Sequence, residues 1–357
     1  MKLGLFTMPF HPTVKKTSLL LRENYETIQY AEHLGFSEAY IGEHATDEYE
    51  KITSSLCFIS SLVYGTSKIK LATGTVNLPN HHPAYVAATA SMIDHMSEGR
   101  LILGVSLGAL ATDWELYGSL NKDRTAMFEE AINHILKIWE STDIIDLRGN
   151  YWNISTSNTS SIELGMGKIY PPLQKPYPEI VCSALVPNSP GLKKAGERGF
   201  APLSSNFLDF NGLISQWEMY EKGASLSKIK PDENRWRIAR FIFVCPDKQK
   251  TIDYVKGPQS PYRECVKHIM KKLSVAKKIE ELGLGSKSES VDTITEKYLD
   301  SLVICGDPLE VTEKLVEMKE KIGNFGTLLY VKVDHKDEFL AKQSLRLLSE
   351  KVFPNVN

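Results

Sequence analysis

Short apolar runs that end in polar or glycine-rich residues alternate along this chain with longer stretches of helical period. The rhythm is clearest over residues 38–108, where EAYIGEH (38–44), IKLATGTVNLP (69–79) and SMIDHMSEGRLILGVSLG (91–108) follow one another with helical sequence between them. Apolar runs of that length, separated by helices rather than tight turns, predict parallel strands joined by crossovers. Eight strand–helix units can be counted. The strands fall at 3–9, 38–44, 69–76, 101–107, 179–184, 200–205, 237–245 and 327–333. The helices fall near 17–34, 52–64, 83–96, 124–140, 189–198, 209–223, from 307 onward and over 339–352.

The helix at 124–140 carries Met127, Phe128, Ala131, Ile132, Ile135, Ile138 and Trp139 close to a period of 3.6. The one from 307 has Asp307 as its cap and Pro308 at its first position. Two segments break the alternation. In 143–175, IIDLRGNYWNIS reads as a hairpin turning at Gly149-Asn150, followed by a Ser/Thr/Asn loop. The stretch 248–302 mixes helical portions with GPQSPY and GLGSKSESVD, and 302–305 reads as a short strand before the helix. The expected architecture is one α/β domain over 1–357, a single (β/α)8 TIM barrel with insertions after its fourth and seventh strands.

Bulk properties remove several function classes. With 357 residues and 42% hydrophobic content, the chain can bury a large core. Net charge is −2, from 42 basic and 44 acidic residues, so no excess of cations argues for nucleic acid. The basic run 267–278 (KHIMKKLSVAKK) reads as a solvated helix face. No apolar run approaches the ~20 residues that span a bilayer. The start, MKLGLFTMPFHP, reads as a first strand and not as a leader. Five scattered cysteines, at 57, 182, 245, 265 and 305, with no C-x-x-C, are expected to be free thiols in a reducing cytoplasm.

Polar residues gather where the predicted strands end: Glu43 and His44, then Gly74, Thr75 and Asn77, then Ser106 and Gly108. In a parallel barrel that rim carries the active site. An imidazole there titrates near neutrality and can move protons, although a strand-end histidine with no special role has the same pattern. Strand alternation would turn Glu43 to the opposite face, to pair with an arginine or cap the next helix. Gly74-Thr75 either admits a flat ligand close to the backbone or is an ordinary bulge. His81-His82-Pro83 reads as a helix start, because no further metal ligands stand at suitable spacing. Asp94, Glu98 and Arg100 lead into the fourth strand at the base, where ion pairs serve stability. The turn holding Ser183, Asn188 and Ser189 offers hydroxyls and free N–H groups to a phosphate, or simply caps a helix. Arg124 could add a fork of donors to the same anion. Trp114, Tyr117, Phe207 and Trp217 line a pocket or fill the core. G-x-G-x-x-G after the first strand and G-x-x-x-x-G-K-[ST] are both missing, so Rossmann and P-loop sites are not indicated.

GEH at 42–44, TGTVNLPNHHP at 73–83, DHMSEGRLILGVSLG at 94–108, DWELYG at 113–118 and RTAMFEEAINHILKIW at 124–139 together resemble the bacterial luciferase-like flavin monooxygenases. PEIVCSA (178–184), AGERG (195–199) and the final TLLYVKVD fit as well. The resemblance covers nearly the whole chain and is densest over 36–140.

It implies a barrel enzyme, a homodimer or a heterodimer with a related subunit, holding reduced FMN at its rim. Dioxygen as co-substrate would give a flavin C4a-hydroperoxide that inserts oxygen into a small, apolar organic molecule. A separate NAD(P)H:flavin reductase would supply the FMNH2, which agrees with the missing nicotinamide fingerprint. His44 matches the catalytic histidine of the family, and Gly74-Thr75 its non-prolyl cis peptide, against which the isoalloxazine packs. Asn77 and Ser106 fall beside the flavin, and Arg124, Ser183, Ala184 and Ser189 match phosphate-binding positions. The 248–302 insertion matches a mobile loop that shields the reaction from water. No metal is implied.

Leu107 stands where the luciferase catalytic subunit has a phosphate-binding arginine, and Ser106 where it has cysteine. The pattern therefore sits closer to terpene, alkane or aldehyde monooxygenases than to a light emitter. Two alternatives share the barrel: an F420-dependent oxidoreductase, and a flavin-binding protein without catalysis.

Overall fold

A computed structural model describes residues 1–7, 10–11, 15–333 and 337–356. The fold is the closed barrel of eight parallel strands with surrounding helices that the alternation predicts. By its internal contacts the chain groups into two compact units, Met1–Tyr40 with Val181–Asn357, and Ile41–Ile180.

The first unit opens with β1 (Lys2–Thr7), α1 (Thr17–His33) and β2 (Glu38–Ile41), whose last residue begins the second unit. The second unit continues through α2 (Ser55–Leu62), β3 (Lys70–Thr73), β4 (Val76–Asn77) and α3 (Pro83–Met96). Then come β5 (Leu101–Ser106), α4 (Ala111–Leu116), α5 (Arg124–Glu140) and the pair β6 (Asp146–Leu147) and β7 (Ile154–Ser155). The chain returns to the first unit along β8 (Glu179–Ala184), α6 (Pro190–Arg198), β9 (Ala201–Ser204), α7 (Phe210–Leu226) and β10 (Arg237–Val244). It ends with α8 (Lys248–Val255), α9 (Pro261–Val275), α10 (Val291–Ser301), β11 (Val303–Gly306), α11 (Pro308–Ile322), β12 (Thr327–Val331) and α12 (Glu338–Leu347).

Local chemistry sets many of these boundaries. α2, α5, α6, α7, α9 and α11 start at Ser54, Asp123, Ser189, Asp209, Ser260 and Asp307, whose side chains accept N–H groups of the first turn. At α11 the cap is reciprocal: Asp307 accepts from Leu309 and Glu310, and Glu310 accepts the Asp307 N–H. α1 gives way to Gly35 at φ 84°, a left-handed step that glycine takes without strain.

Within the first unit, β1 runs beside β12 from Lys2↔Thr327 to Phe6↔Val331, and β10 meets β12 at Arg237↔Thr327. That register gathers Glu38, Arg237 and Thr327 at the N-terminal strand ends. Arg237 grips the Glu38 carboxylate with Nε at 3.1 Å and Nη2 at 3.2 Å, both side chains buried. This ion pair belongs to the floor of the barrel, away from the rim, where residues serve stability.

Two expected strands end differently. The second strand stops at Ile41, so residues 42–44 leave as loop, and strand alternation does not set where Glu43 and His44 point. The third strand is interrupted after Thr73 by a cis Gly74–Thr75 peptide and resumes as β4. The helical portions expected in the 248–302 insertion are present as α8, α9 and α10, built on a buried aromatic strip. Phe243 stacks on Tyr254 at 4.6 Å, Phe241 meets Tyr298 edge-on at 6.1 Å, and the Tyr262 hydroxyl donates to the Ile242 carbonyl at 2.7 Å. β11 then pairs with the later half of β10, from Phe241↔Val303 to Val244↔Gly306.

In the second unit the predicted hairpin is present as β6 and β7. Its turn is tied to α5 by one carboxylate. Glu130 accepts the N–H groups of Asn150, Tyr151 and Trp152 at 2.7, 2.9 and 2.8 Å. Burial pushes the Glu130 carboxyl upward, but these donors outweigh it and hold it below the usual glutamate value.

Candidate active site

The rim of the second unit is assembled where β3 and β5 come unusually close. Gly104 makes the approach possible, since a β-carbon there would stand 2.0 Å from the Thr73 carbonyl oxygen. The Thr73 hydroxyl donates to the Gly104 carbonyl at 2.7 Å, and the Gly74 N–H donates to the Ile41 carbonyl at 2.6 Å. After the cis Gly74–Thr75 bond, β4 runs beside β5 with Val76↔Val105 and Asn77↔Ser106 in register. Thr75, Asn77 and Ser106 thereby form one polar chain. The Thr75 hydroxyl donates to Ser106 Oγ at 2.7 Å, and Ser106 Oγ donates to Asn77 Oδ1 at 2.8 Å. The Gly108 N–H closes on Ser106 Oγ at 3.2 Å. Asn77 turns its carbonyl into this chain, and its amide NH2 has no hydrogen-bond partner among the described residues.

His44 stands beside it, 8% exposed, with Nδ1 3.0 Å from Asp113 Oδ2. The other Asp113 oxygen accepts the Thr46 N–H at 2.9 Å and its hydroxyl at 2.6 Å. Burial pushes the Asp113 carboxyl up, but His44 and Thr46 prevail and hold it below the usual aspartate value. A carboxylate that stays ionised selects the His44 tautomer with the proton on Nδ1 and leaves Nε2 to act. Nε2 faces Glu50 at 3.7 Å, beyond direct hydrogen-bond range.

Glu43 serves a different group. One of its oxygens accepts the N–H and hydroxyl of Ser55 at 2.8 and 2.7 Å, at the first turn of α2. The other lies 3.0 Å from His81 Nε2 and 3.5 Å from the Asn77 N–H. Burial raises the Glu43 carboxyl and these partners lower it further, so it sits below the usual value. Of the readings open for Glu43, binding at the next helix start holds, with the His81 imidazole as its other partner. Tyr117 lies against His81, ring centroids 5.8 Å apart. Its phenol is pushed above 10, first by burial and then by the charges of Glu43 and Asp113.

Arg124, first residue of α5, lays its guanidinium 3.6 Å from the ring centre of Trp114 and donates to the Leu120 carbonyl at 3.3 Å. Ser183, Ala184 and Ser189 belong to the other unit. There the Ser189 hydroxyl accepts the Leu192 N–H as the α6 cap. Phe207 packs edge-on against Tyr298, and Trp217 stacks on the buried Trp236 at 5.0 Å, so core packing accounts for both. Arg100 directs its guanidinium at the carbonyls of Ser97, Ile69 and Val63, and Asp94 accepts from Gln174, in place of the ion pairs expected at the base. Sequence reasoning gave no role to Asp113, Thr46 or Glu50. DWELYG contains Asp113, but nothing local marks it as the partner of His44.

A parallel barrel whose rim pairs a buried histidine with an ionised aspartate, beside a cis peptide and a chain of hydroxyls, has the layout of an enzyme site. The model for luciferase-like monooxygenases matches residues 1–324, and the chain belongs to that family of monooxygenase enzymes. It is 26% identical over 377 residues to the 3,6-diketocamphane 1,6-monooxygenase of Pseudomonas putida, covering 100% of this chain and 98% of that protein. It is 25% identical over 366 residues to the limonene 1,2-monooxygenase of Rhodococcus erythropolis, covering 99% and 86%. Among solved structures it superposes, with a TM-score of 0.88 and 25% identity, on the oxygenating constituent of the P. putida 3,6-diketocamphane monooxygenase. That structure is a type II Baeyer–Villiger monooxygenase in complex with FMN, and the match covers 100% of this chain and 99% of the other. An F420-dependent secondary alcohol dehydrogenase, at 16% identity and a TM-score of 0.72, shares the fold alone, so the F420 alternative is not favoured.

Proposed function

We propose that this chain is the oxygenating component of a two-component system. It uses FMNH2 and O2 to insert one oxygen atom into a small, apolar organic molecule. The reaction balances as substrate, O2 and FMNH2 giving oxygenated substrate, water and FMN. The observation that carries the reading is the rim of the second unit, where the His44–Asp113 pair stands with the cis Gly74–Thr75 peptide and the Thr75–Ser106–Asn77 chain.

The residues fit a flavin. Gly74 and Gly108 place no side chain over the backbone where a flat ring would lie. The free Asn77 amide suits a ring rich in carbonyl oxygens and nitrogens, and Arg124 suits a phosphate. Bound FMNH2 supplies the two electrons that reduce dioxygen to the peroxide level. In this reading the protein's part is proton traffic and orientation. His44 is the general acid and base, moving a proton at Nε2 while Asp113 keeps Nδ1–H in place. Thr75, Asn77 and Ser106 position the ring. The phosphate role of Ser183, Ala184 and Ser189 is a proposal resting on the sequence resemblance.

A separate reductase is inferred because the chain lacks a nicotinamide fingerprint and its structural relative is described as an oxygenating constituent. A dimer built on α2 and α3 is supported by the exposure of Tyr64 and Tyr85, at 82% and 66%. We place the protein in the cytoplasm, where a reductase would find it. Among the described residues no helix is long and apolar enough to cross a membrane.

Parallel anaerobic titrations with FMNH2 and reduced F420 test the cofactor. Saturable binding of FMNH2 with no binding of F420 is expected. The reverse preference would overturn the reading.

A further inference from the structure

Among the described residues, the indole nitrogen of Trp114 is buried and has no hydrogen-bond partner. An indole N–H can only donate, and a buried donor without an acceptor is costly. Such atoms are rare and call for a partner. Nε1 abuts the rim. A β-carbon on Gly108 would stand 3.0 Å from it and 3.4 Å from Asn77 Cβ and Cγ. Gly108 therefore lets Nε1 and the Asn77 side chain pack beside it with no β-carbon pressing on them, and its φ of +81° disfavours ordinary side chains at this position.

The ring is held from both sides of the sequence. Its backbone N–H donates to the Leu110 carbonyl, and its own carbonyl accepts from Ser119 and Leu120. Arg124 lies across its face at 3.6 Å. A cation stacked on the ring draws electron density from it and strengthens the N–H as a donor. A rigidly held donor without an acceptor, beside a second free donor on Asn77, is suited to a ligand that presents acceptors only along that edge.

We propose that Trp114 Nε1–H, together with the Asn77 amide, donates to an acceptor atom of the bound flavin, and that the Arg124 stack serves to aim the indole. This rests on the FMN reading above. Two parts of FMN carry such acceptors, the isoalloxazine ring and the phosphate. Riboflavin, which lacks the phosphate, separates them.

The test is an indole N–H spectrum of the full-length protein labelled with 15N-tryptophan. Five tryptophans give five signals, and the one missing in Trp114→Phe is Trp114. Addition of oxidised FMN is expected to move that signal downfield. A matching shift with riboflavin assigns the acceptor to the ring, and a shift with FMN alone assigns it to the phosphate. Trp114→Phe keeps the aromatic face for Arg124 and should weaken FMN binding by about 3- to 10-fold, the loss of one hydrogen bond. If FMN binds while the Trp114 signal stays in place, or if Trp114→Phe binds FMN as tightly as wild type, the proposal is wrong although the flavin reading stands. If the wild-type protein binds no FMN in either redox state, both fall together.

Discussion

His44 Nδ1 and Asp113 Oδ2 stand 3.0 Å apart although 69 residues separate them in the chain. The contact depends on the short helix α4, which carries Asp113, and on Thr46, which occupies the other carboxylate oxygen. Asp113→Asn keeps the shape of the pair but can present an amide N–H to Nδ1, which favours the wrong tautomer. Turnover is expected to fall about 100-fold or more, within the usual weight of general acid–base catalysis. Flavin affinity should change little, because the Asp113 carboxylate is taken up by His44 and Thr46. Measured kcat and flavin Kd check this together. A loss confined to Kd would mean that Asp113 acts on the ligand and not through His44.

His44→Ala separates binding from chemistry. The variant is expected to fold and to bind FMNH2 as wild type does, yet to lose oxygenated product and release H2O2 in its place. Product and peroxide are assayed side by side. An unchanged product yield would remove His44 from the mechanism.

Glu43 gives a prediction about pH. Its carboxyl is held below the usual glutamate value, so the ionised Glu43 and its donors stabilise the fold fully above that value. The contribution is lost as pH falls through the lower, folded one. Glu43→Gln leaves Ser55, His81 and the Asn77 N–H poorly matched, at a cost of roughly 1–3 kcal/mol near neutrality. Denaturant melts of wild type and variant should draw together as pH falls from the usual glutamate value through the lower, folded one. A gap that stays constant down to pH 3 would show that the charge of Glu43 contributes nothing.

Two glycines at the rim should differ sharply. In Gly104→Ala the new carbon meets the Thr73 carbonyl oxygen at 2.0 Å, a backbone atom that cannot step aside. The expected loss is about 3 kcal/mol or more, with failure to fold as the extreme. In Gly108→Ala the contacts are 3.0 and 3.4 Å, and the φ of +81° adds roughly 1–2 kcal/mol. Thermal melts of the two variants check the order.

Arg124→Ala tests the phosphate assignment. FMN affinity is expected to drop more than riboflavin affinity, because only FMN carries the anion. Equal losses for both would reduce Arg124 to a support for Trp114, on which it already lies.

Local signals carried far in this sequence. Pro83 after His82 and a run to Met96 mark α3 as it stands, and Asp123 before Arg124 marks the start of α5. The Ser183–Ser189 turn and the Asp307-Pro308 pair likewise begin helices where their capping chemistry puts them. What stayed hidden depends on partners distant in sequence. Nothing in EAYIGEH shows that pairing ends at Ile41, because that depends on the neighbouring strands rather than on the residues themselves. In the insertion at 248–302 the sequence shows helical portions between GPQSPY and GLGSKSESVD but not what anchors them. Ser260 caps α9, and the aromatic residues that anchor the helices are spread from Phe241 to Tyr298. Asp113 shares that character, since its partner His44 stands 69 residues away. Family resemblance pointed to the His44, Gly74 and Ser106 positions, and geometry added the residues that hold them.

This rim is expected to hold reduced flavin and to control its reaction with dioxygen. The protein is loaded anaerobically with FMNH2, mixed rapidly with O2, and followed by absorbance. A long-lived species absorbing in the near ultraviolet, formed before oxidised flavin appears and shortened in His44→Ala, is the result predicted. Immediate reoxidation at the rate of free FMNH2, with no such species, would contradict it.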